Sequence, residues 1–148
     1  MSSDYRSPVA RKTPYLADAI RLPDKEGLDQ DQEWCEVKMD GQWQRFRFHD
    51  YNDIYQVPGL YESLFYRTLK CCSPQRVVGL LEDLLDEHEV SPETLRVLDV
   101  GAGNGMVGQE LRGIGVKHVT GVDIVPEAKT ATQRDRPGVY HDYLITDL

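Results

Sequence analysis

Alternating apolar and polar residues between positions 33 and 48 predict a β-hairpin. Asp40-Gly41 has the composition of a two-residue turn, and folding the flanks back about it places Glu36 opposite Arg45. In that register one face is apolar, and it carries Cys35, Val37, Met39, Phe46 and Phe48. The opposite face carries the charged pair, with Trp34 and Trp43 beside it. Because register and amphipathic pattern agree, we expect the apolar face to pack on a core.

Helical spacings follow the hairpin. Aromatic residues recur between positions 50 and 72, and Pro58-Gly59 predicts a turn between two short helices there. Ser73-Pro74 then predicts the start of a longer helix, with serine as its N-cap and proline as its first helical residue. The expected buried stripe of that helix consists of Val77, Leu81, Leu84, Leu85 and His88.

From residue 95 onward, strand and helix patterns alternate. Strands are predicted at 96–100, 118–122 and 143–146, and helices at 106–112 and 126–134. This order implies a parallel sheet with right-handed crossovers. The predicted fold class is therefore α/β, with the first three strands of a parallel sheet preceded by a β-hairpin and helices.

These patterns divide the chain into three segments. Residues 1–31 are expected to form a flexible N-terminal arm, apart from one or two helical turns at 15–20. Residues 32–72 hold the hairpin and an aromatic helical region. Residues 73–148 hold the alternating strands and helices.

Composition narrows the classes of protein. The chain has 148 residues and a net charge of −8, which argues against nucleic acid as a partner, although one local basic patch could evade that average. No apolar run approaches the ~18 residues of a membrane span, and the first residues lack the apolar core of a secretory signal. Cys35, Cys71 and Cys72 make a poor disulfide framework, and the histidines lack ligand spacing. We therefore expect no membrane contact, no metal site and a cytoplasmic location.

One segment carries candidate chemistry. Gly101, Gly103 and Gly105 stand at alternate positions between a buried strand and a helix. Glycines let the backbone turn sharply and let a ligand approach it, and the free N–H groups of a helix start are electropositive. In a parallel sheet, this turn lies at the carboxyl end of a strand, where ligands bind.

The ligand is not fixed by the glycines alone. Residues 103–108 formally match the G-x-G-x-x-G dinucleotide pattern. However, Asp99 lies two residues before the first glycine, where a carboxylate suits a positively charged ligand better than a pyrophosphate. Acidic residues also follow the next two predicted strands.

The run Asp99-x-Gly101-x-Gly103-x-Gly105 resembles motif I of the class I, Rossmann-like S-adenosylmethionine-dependent methyltransferases. In that family the acid and glycines hold the methionine part of the cofactor. The acid ending the second strand, Asp123 here, binds the ribose, and an acid past the third strand, Asp147 here, commonly contacts the adenine amino group. The residues expected around the cofactor are Asp99, Gly101, Ala102, Gly103, Asn104, Gly105, Asp123, Ile124, Asp147 and Leu148.

The resemblance covers about residues 73–148 and implies methyl transfer to a small-molecule acceptor. It names no catalytic residue, because the sulfonium is already an activated donor. Tyr51, Tyr55, Tyr61 and Tyr66 are candidates for a lid over the cofactor and substrate, or for packing that joins the hairpin to the core. The family often has a capping serine where Val125 precedes the second helix of this region.

The family's sheet has seven strands, so residues 73–148 correspond to its N-terminal half. The strand at 96–100 should then have an open edge, which is a liability. We expect the chain to be a fragment of a longer protein. The alternatives are that another copy of the chain or a partner covers this edge, or that the hairpin does. Two other functions stay open: a non-catalytic cofactor-binding or interaction fragment derived from a methyltransferase, and an NAD(P)-dependent oxidoreductase.

Overall fold

The structure, a computed structural model, describes Leu16 and residues 19–24, 27–29 and 32–148. Within these residues the chain has a mixed α/β architecture. A three-stranded antiparallel sheet is followed by a three-stranded parallel sheet. Both the predicted hairpin and the predicted parallel strand order are confirmed.

The antiparallel sheet has the order β1-β2-β3. Strands β2 (Trp34–Met39) and β3 (Gln42–Arg47) form the predicted hairpin, with Glu36 opposite Arg45. Asp40 and Gly41 both have positive φ, at 50° and 81°. That is the conformation of the tight turns that match strand twist, and it explains why an Asp-Gly pair stands here.

Strand β1 (Ile20–Arg21) takes the last residue of the stretch 15–20, where helical turns were predicted, and the prediction is wrong for that residue. Leu16 accepts a hydrogen bond from the N–H of Ala19, but Ile20 then pairs with Val37 of β2. Pairing with β2 supplies hydrogen-bond partners for the backbone of Ile20 and Arg21. A single helical turn would leave these backbone groups without partners. The predicted flexible arm otherwise falls largely outside the described residues.

Two short helices follow the hairpin, as predicted. Helix α1 spans Tyr51–Gln56, and a π-helix spans Glu62–Thr68. Together with the inner face of the sheet they enclose a core whose buried members are Cys35, Val37, Phe48, Ile54, Leu60 and Leu64. A π-helix is rare, and π-helical turns occur frequently at functional sites.

Helix α2 (Ser73–Glu87) begins one residue earlier than predicted. Its N-cap is Cys72 and not the predicted Ser73, and no side chain caps it by a hydrogen bond. The predicted stripe is wrong in part. Val78 and Leu85 are buried and Leu81 is partly buried, whereas Val77 and Leu84 are more than half exposed. The helix packs on α3 (Met106–Gly113) through the 78–81–85 side, which turns the neighbouring apolar row to the surface.

The parallel sheet has the order β4-β5-β6. Its strands are β4 (Arg96–Val100), β5 (His118–Asp123) and β6 (Asp142–Ile145). A 3-10 turn (Pro92–Thr94) leads into β4, and α4 (Pro126–Asp135) connects β5 to β6. The helix-side core contains Val78, Leu111, Val116 and Val119.

One face and one edge of this sheet are open in the described chain. Leu98 and Val100 of β4 and Leu144 of β6 are all more than half exposed. Strand β4 pairs only with β5 among the described residues, and the hairpin belongs to the other sheet. The expectation that the hairpin covers this edge is therefore wrong. No helix among the described residues is long and apolar enough to cross a membrane.

Candidate functional site

The glycine-rich turn lies between the carboxyl end of β4 and the start of α3. Gly101, Gly103 and Gly105 have φ values of 72°, 54° and 90°. Residues that carry a Cβ rarely adopt this left-handed region of backbone conformation. The path of the backbone therefore requires glycine at all three positions. Gly105 is the N-cap of α3, and no side chain caps this helix start.

Asp123 lies beside the turn, at the end of the neighbouring parallel strand. Its Oδ2 accepts a hydrogen bond from the N–H of Gly103 at 2.9 Å, and its Oδ1 accepts one from the N–H of Val125 at 2.9 Å. A carboxylate has about four lone-pair sites. Two lone-pair sites of Asp123 therefore remain for a ligand. The side chain is partly exposed, so a ligand can reach it.

The main chain of Gly103 is held from three sides. Its carbonyl accepts hydrogen bonds from the hydroxyls of Thr132 and Tyr143, each at 2.7 Å, while its N–H bonds Asp123. The hydroxyl of Tyr55 lies 2.6 Å from the place that a Cβ on residue 103 would occupy. The glycine at 103 is thus required by close packing as well as by φ.

Asp99 lies beneath the turn and is only 8% exposed. The hydroxyl of Tyr140 donates to its Oδ2 at 2.6 Å. Burial raises the pKa of Asp99, the Tyr140 hydrogen bond opposes that rise, and the charge of Asp123 adds to it. The side chain predicted to meet the methionine part is therefore bonded to Tyr140 in this structure.

The raised pKa of Asp99 gives a pH-dependent prediction. The buried carboxyl holds its proton more tightly in the folded state, so stability should fall as pH rises from the unfolded pKa of about 3.9 through the folded value. Asp99→Asn cannot titrate, so we expect its stability relative to the unchanged chain to rise across this window, by ~1.4 kcal/mol per pKa unit, and then level off.

Urea unfolding between pH 4 and pH 7.5 measures this difference. Asp83→Asn, on the exposed side of α2, is the matched control for the change in net charge. A stability difference between Asp99→Asn and the unchanged chain that is constant across the pH range would contradict the prediction.

Asn104 connects the turn to the π-helix. It is 1% exposed, and its Nδ2 donates to Glu62 Oε1 at 3.1 Å and to Asp135 Oδ2 at 3.2 Å. Arg136 donates to the same Glu62 oxygen and to the carbonyl of Asn104. Arg134 binds Asp135 and reaches the carbonyl of Tyr55 at 3.0 Å. The glycine turn, α4 and the aromatic region therefore share one polar network.

The four tyrosine candidates lie in one aromatic cluster. Tyr55 and Tyr61 have ring centroids 4.8 Å apart, Tyr51 lies 6.2 Å from Tyr55, and Tyr66 lies 5.8 Å from Tyr61. Tyr55 is 5% exposed and packs with Ala128 and Ala131 of α4. The pKa of Tyr55 is raised, mainly by burial and to a smaller extent by the neighbouring Tyr61, so the Tyr55 hydroxyl stays protonated. The cluster joins the hairpin region to the parallel sheet and also reaches the glycine turn.

The other candidates differ in exposure. Ala102 is buried beneath the turn, whereas Ile124 is 62% exposed directly after Asp123. Asp147 and Leu148 are exposed beyond β6, on the strand that neighbours β5. A cavity of about 440 Å³ opens between α4 and the segment leading into β6, and its lining includes Thr132, Tyr140 and Tyr143, which also contact the turn.

Several residues that hold the turn were missed by the sequence analysis. Tyr140 and Tyr143 approach it from the β6 side, Thr132 from α4, and Glu62 binds Arg136 from the π-helix. The tyrosines carry a weak signal, since aromatic hydroxyls just before and inside a strand need partners. Nothing in the spacing of Thr132, Glu62 and Arg136 indicates a shared site.

No family model, curated protein or solved structure matches the chain. In the described part of the chain, no group of three or more histidine, cysteine, aspartate or glutamate side chains is arranged to hold a metal ion.

Proposed function

We propose that the chain binds S-adenosylmethionine and belongs to a methyltransferase acting on a small molecule. The observation that carries this proposal is the glycine turn with three left-handed glycines, hydrogen-bonded through Gly103 to Asp123 at the end of the adjacent parallel strand. A polar turn at the carboxyl ends of parallel strands is a ligand site. The parallel sheet would be the first part of a Rossmann-like domain.

The residues fit the cofactor group by group. Asp123 retains acceptor sites for the two ribose hydroxyls, and exposed Ile124 offers apolar surface for the adenine, with Asp147 near its amino group. The Oδ1 of Asn104 is buried and finds no hydrogen-bond partner among the described residues. It is an acceptor available to the amino group of the methionine part.

The chain's own residues would bind and orient the cofactor, and the cofactor would supply an activated methyl group when bound. Gly103 and Asp123 would fix the turn, and Tyr55 of the aromatic cluster packs against it at Gly103, so that a bound cofactor would be held in one orientation. Asp99 would support the turn through Tyr140, and the single hydrogen bond that it accepts leaves lone-pair sites for the methionine part. The free thiols of the three cysteines agree with a cytoplasmic location.

Asp123→Ala should weaken binding of S-adenosylhomocysteine about tenfold to a hundredfold, because charge-assisted hydrogen bonding to the ribose, worth roughly 1.5–3 kcal/mol in all, is lost. Calorimetric titration of the full chain measures this. Asp142→Ala removes an exposed carboxylate from the opposite end of β6 and should leave the affinity unchanged. Asp123→Asn keeps one acceptor for the backbone N–H groups and separates ligand loss from unfolding.

The alternatives give different results in the same titration. Saturation by NADH and not by S-adenosylhomocysteine would replace the proposal with an NAD(P)-dependent oxidoreductase. Absence of binding in a chain that circular dichroism shows to be folded would favour an interaction fragment, which the open edge of β4 and the exposed Leu98 and Val100 support.

A further inference from the structure

The outward side of the antiparallel sheet is rich in cations and tryptophan. Successive side chains of a strand point to opposite faces, and Cys35 and Val37 are buried on the core side. The other set faces outward, and we call it the outer face. The outer face consists of Arg21 of β1, Trp34, Glu36 and Lys38 of β2, and Trp43, Arg45 and Arg47 of β3.

The charge of the outer face is opposite to that of the chain. It carries four cations and one carboxylate, Glu36, whereas the whole chain has a net charge of −8. Arg47 also pairs with Asp50 at 3.0 Å, which still leaves the face positive. The side chains of Arg21, Arg45 and Arg47 are 52%, 57% and 65% exposed. Segregation of cations onto one face of an acidic protein favours an anionic partner.

The guanidinium groups and indole rings are stacked in advance. The Cζ of Arg21 lies 4.0 Å from the ring centroid of Trp43, and that of Arg45 lies 3.7 Å from the ring of Trp34. Glu36 holds both arginines, accepting from Arg21 Nε at 2.6 Å and from Arg45 Nη2 at 3.3 Å. Side chains already ordered in this way lose little entropy when they bind a ligand.

From these contacts we infer that the outer face binds single-stranded nucleic acid. A single strand alternates phosphates, which the cations attract, with unpaired bases, which stack on aromatic rings and arginine planes. Trp34 and Trp43 lie opposite Arg47 and Lys38 at the two ends of the hairpin, about 13 Å apart along the strands, so each arginine–tryptophan stack can take a different base. The expectation against nucleic acid rested on the whole-chain charge, which averages this face away. The inference does not depend on methyl transfer.

The chain provides its own probe, because its two tryptophans both lie on the outer face. The full chain is titrated with a 12-nucleotide single-stranded RNA of mixed sequence, and tryptophan fluorescence is followed. We expect saturable quenching from base stacking. With about three phosphate contacts, log affinity should fall with log salt with a slope of about −2.

Variants separate charge from stacking. Lys38→Gln with Arg47→Gln should weaken binding about 25-fold at 0.1 M salt, since each lost phosphate contact is worth about fivefold. Trp43→Leu should weaken it about tenfold through lost stacking. Arg76→Gln with Arg96→Gln makes the same charge change at exposed positions outside the outer face and should leave binding unchanged. Circular dichroism checks that each variant is folded.

Polyphosphate and phosphatidylserine vesicles test the other anionic partners. Absence of RNA binding, or RNA binding that neither quenches tryptophan nor exceeds that of polyphosphate, overturns the inference. Quenching by the vesicles and not by RNA would assign the outer face to an anionic membrane surface instead and would equally overturn it.

Discussion

Replacing Arg136 by methionine should lower the free energy of unfolding by about 3–5 kcal/mol. The side chains of Arg136 and Glu62 are only 11% and 12% exposed, and they form an ion pair between the C-terminus of α4 and the π-helix. Arg136 also donates to Gln109 Oε1 at 2.7 Å and to the carbonyl of Asn104. Its removal leaves the Glu62 charge buried with a single amide donor, which is far costlier than losing an exposed pair.

Urea unfolding followed by circular dichroism measures this loss. Arg47→Met removes an arginine from the exposed ion pair with Asp50 and should cost no more than about 1 kcal/mol. Adding Glu62→Gln to Arg136→Met should restore part of the stability, because the uncompensated charge is then gone. If Arg136→Met costs no more than Arg47→Met, the network does not hold the aromatic region to α4.

Local patterns were sufficient to predict the hairpin and the alternating strands and helices after residue 95. The hairpin register follows from an Asp-Gly turn that can adopt positive φ at both positions, combined with strict alternation on one face. The parallel sheet follows from short apolar strands alternating with helices. In both regions, backbone chemistry and side-chain burial favour the same structure.

Contacts between distant segments could not be predicted in the same way. Helix α2 has two apolar rows, and only its packing on α3 decides that Val78 is buried and Val77 exposed. Ile20 is β-branched and therefore suits a strand, but its pairing with Val37 depends on a segment 17 residues away and is not indicated by the local pattern. The bond between Asp99 and Tyr140 joins residues 41 positions apart, and no local spacing indicates it.

The candidate site likewise contains residues that local spacing predicts and residues that only the fold brings together. The glycine turn and Asp123 are recognisable because their spacing is local and chemically restrictive. The residues around them come from α1, the π-helix, α4 and β6, so their convergence is a property of the fold alone. The site is therefore best tested where a local requirement and a distant contact meet, which is Gly103.

Gly103→Ala should lower the free energy of unfolding by about 2–5 kcal/mol. About 1–2 kcal/mol comes from placing a Cβ at a φ of 54°. A further ~1–3 kcal/mol comes from overpacking, because the new Cβ lies 2.6 Å from the hydroxyl of Tyr55. Tyr55 is 5% exposed and packed on Ala128 and Ala131, so it has no free space to move into.

Two variants divide this loss into its causes. Gly101→Ala, at a φ of 72° with no atom within 4 Å of its Cβ, should show the backbone cost alone. Tyr55→Phe removes the oxygen at 2.6 Å and leaves the ring carbon at 3.6 Å, so Gly103→Ala should cost less in that background. Denaturant midpoints of the four single and double variants, measured against the unchanged chain, decide the matter. Equal losses at positions 101 and 103 would mean that Tyr55 does not rest on the glycine turn, and the aromatic region would then not be part of the site.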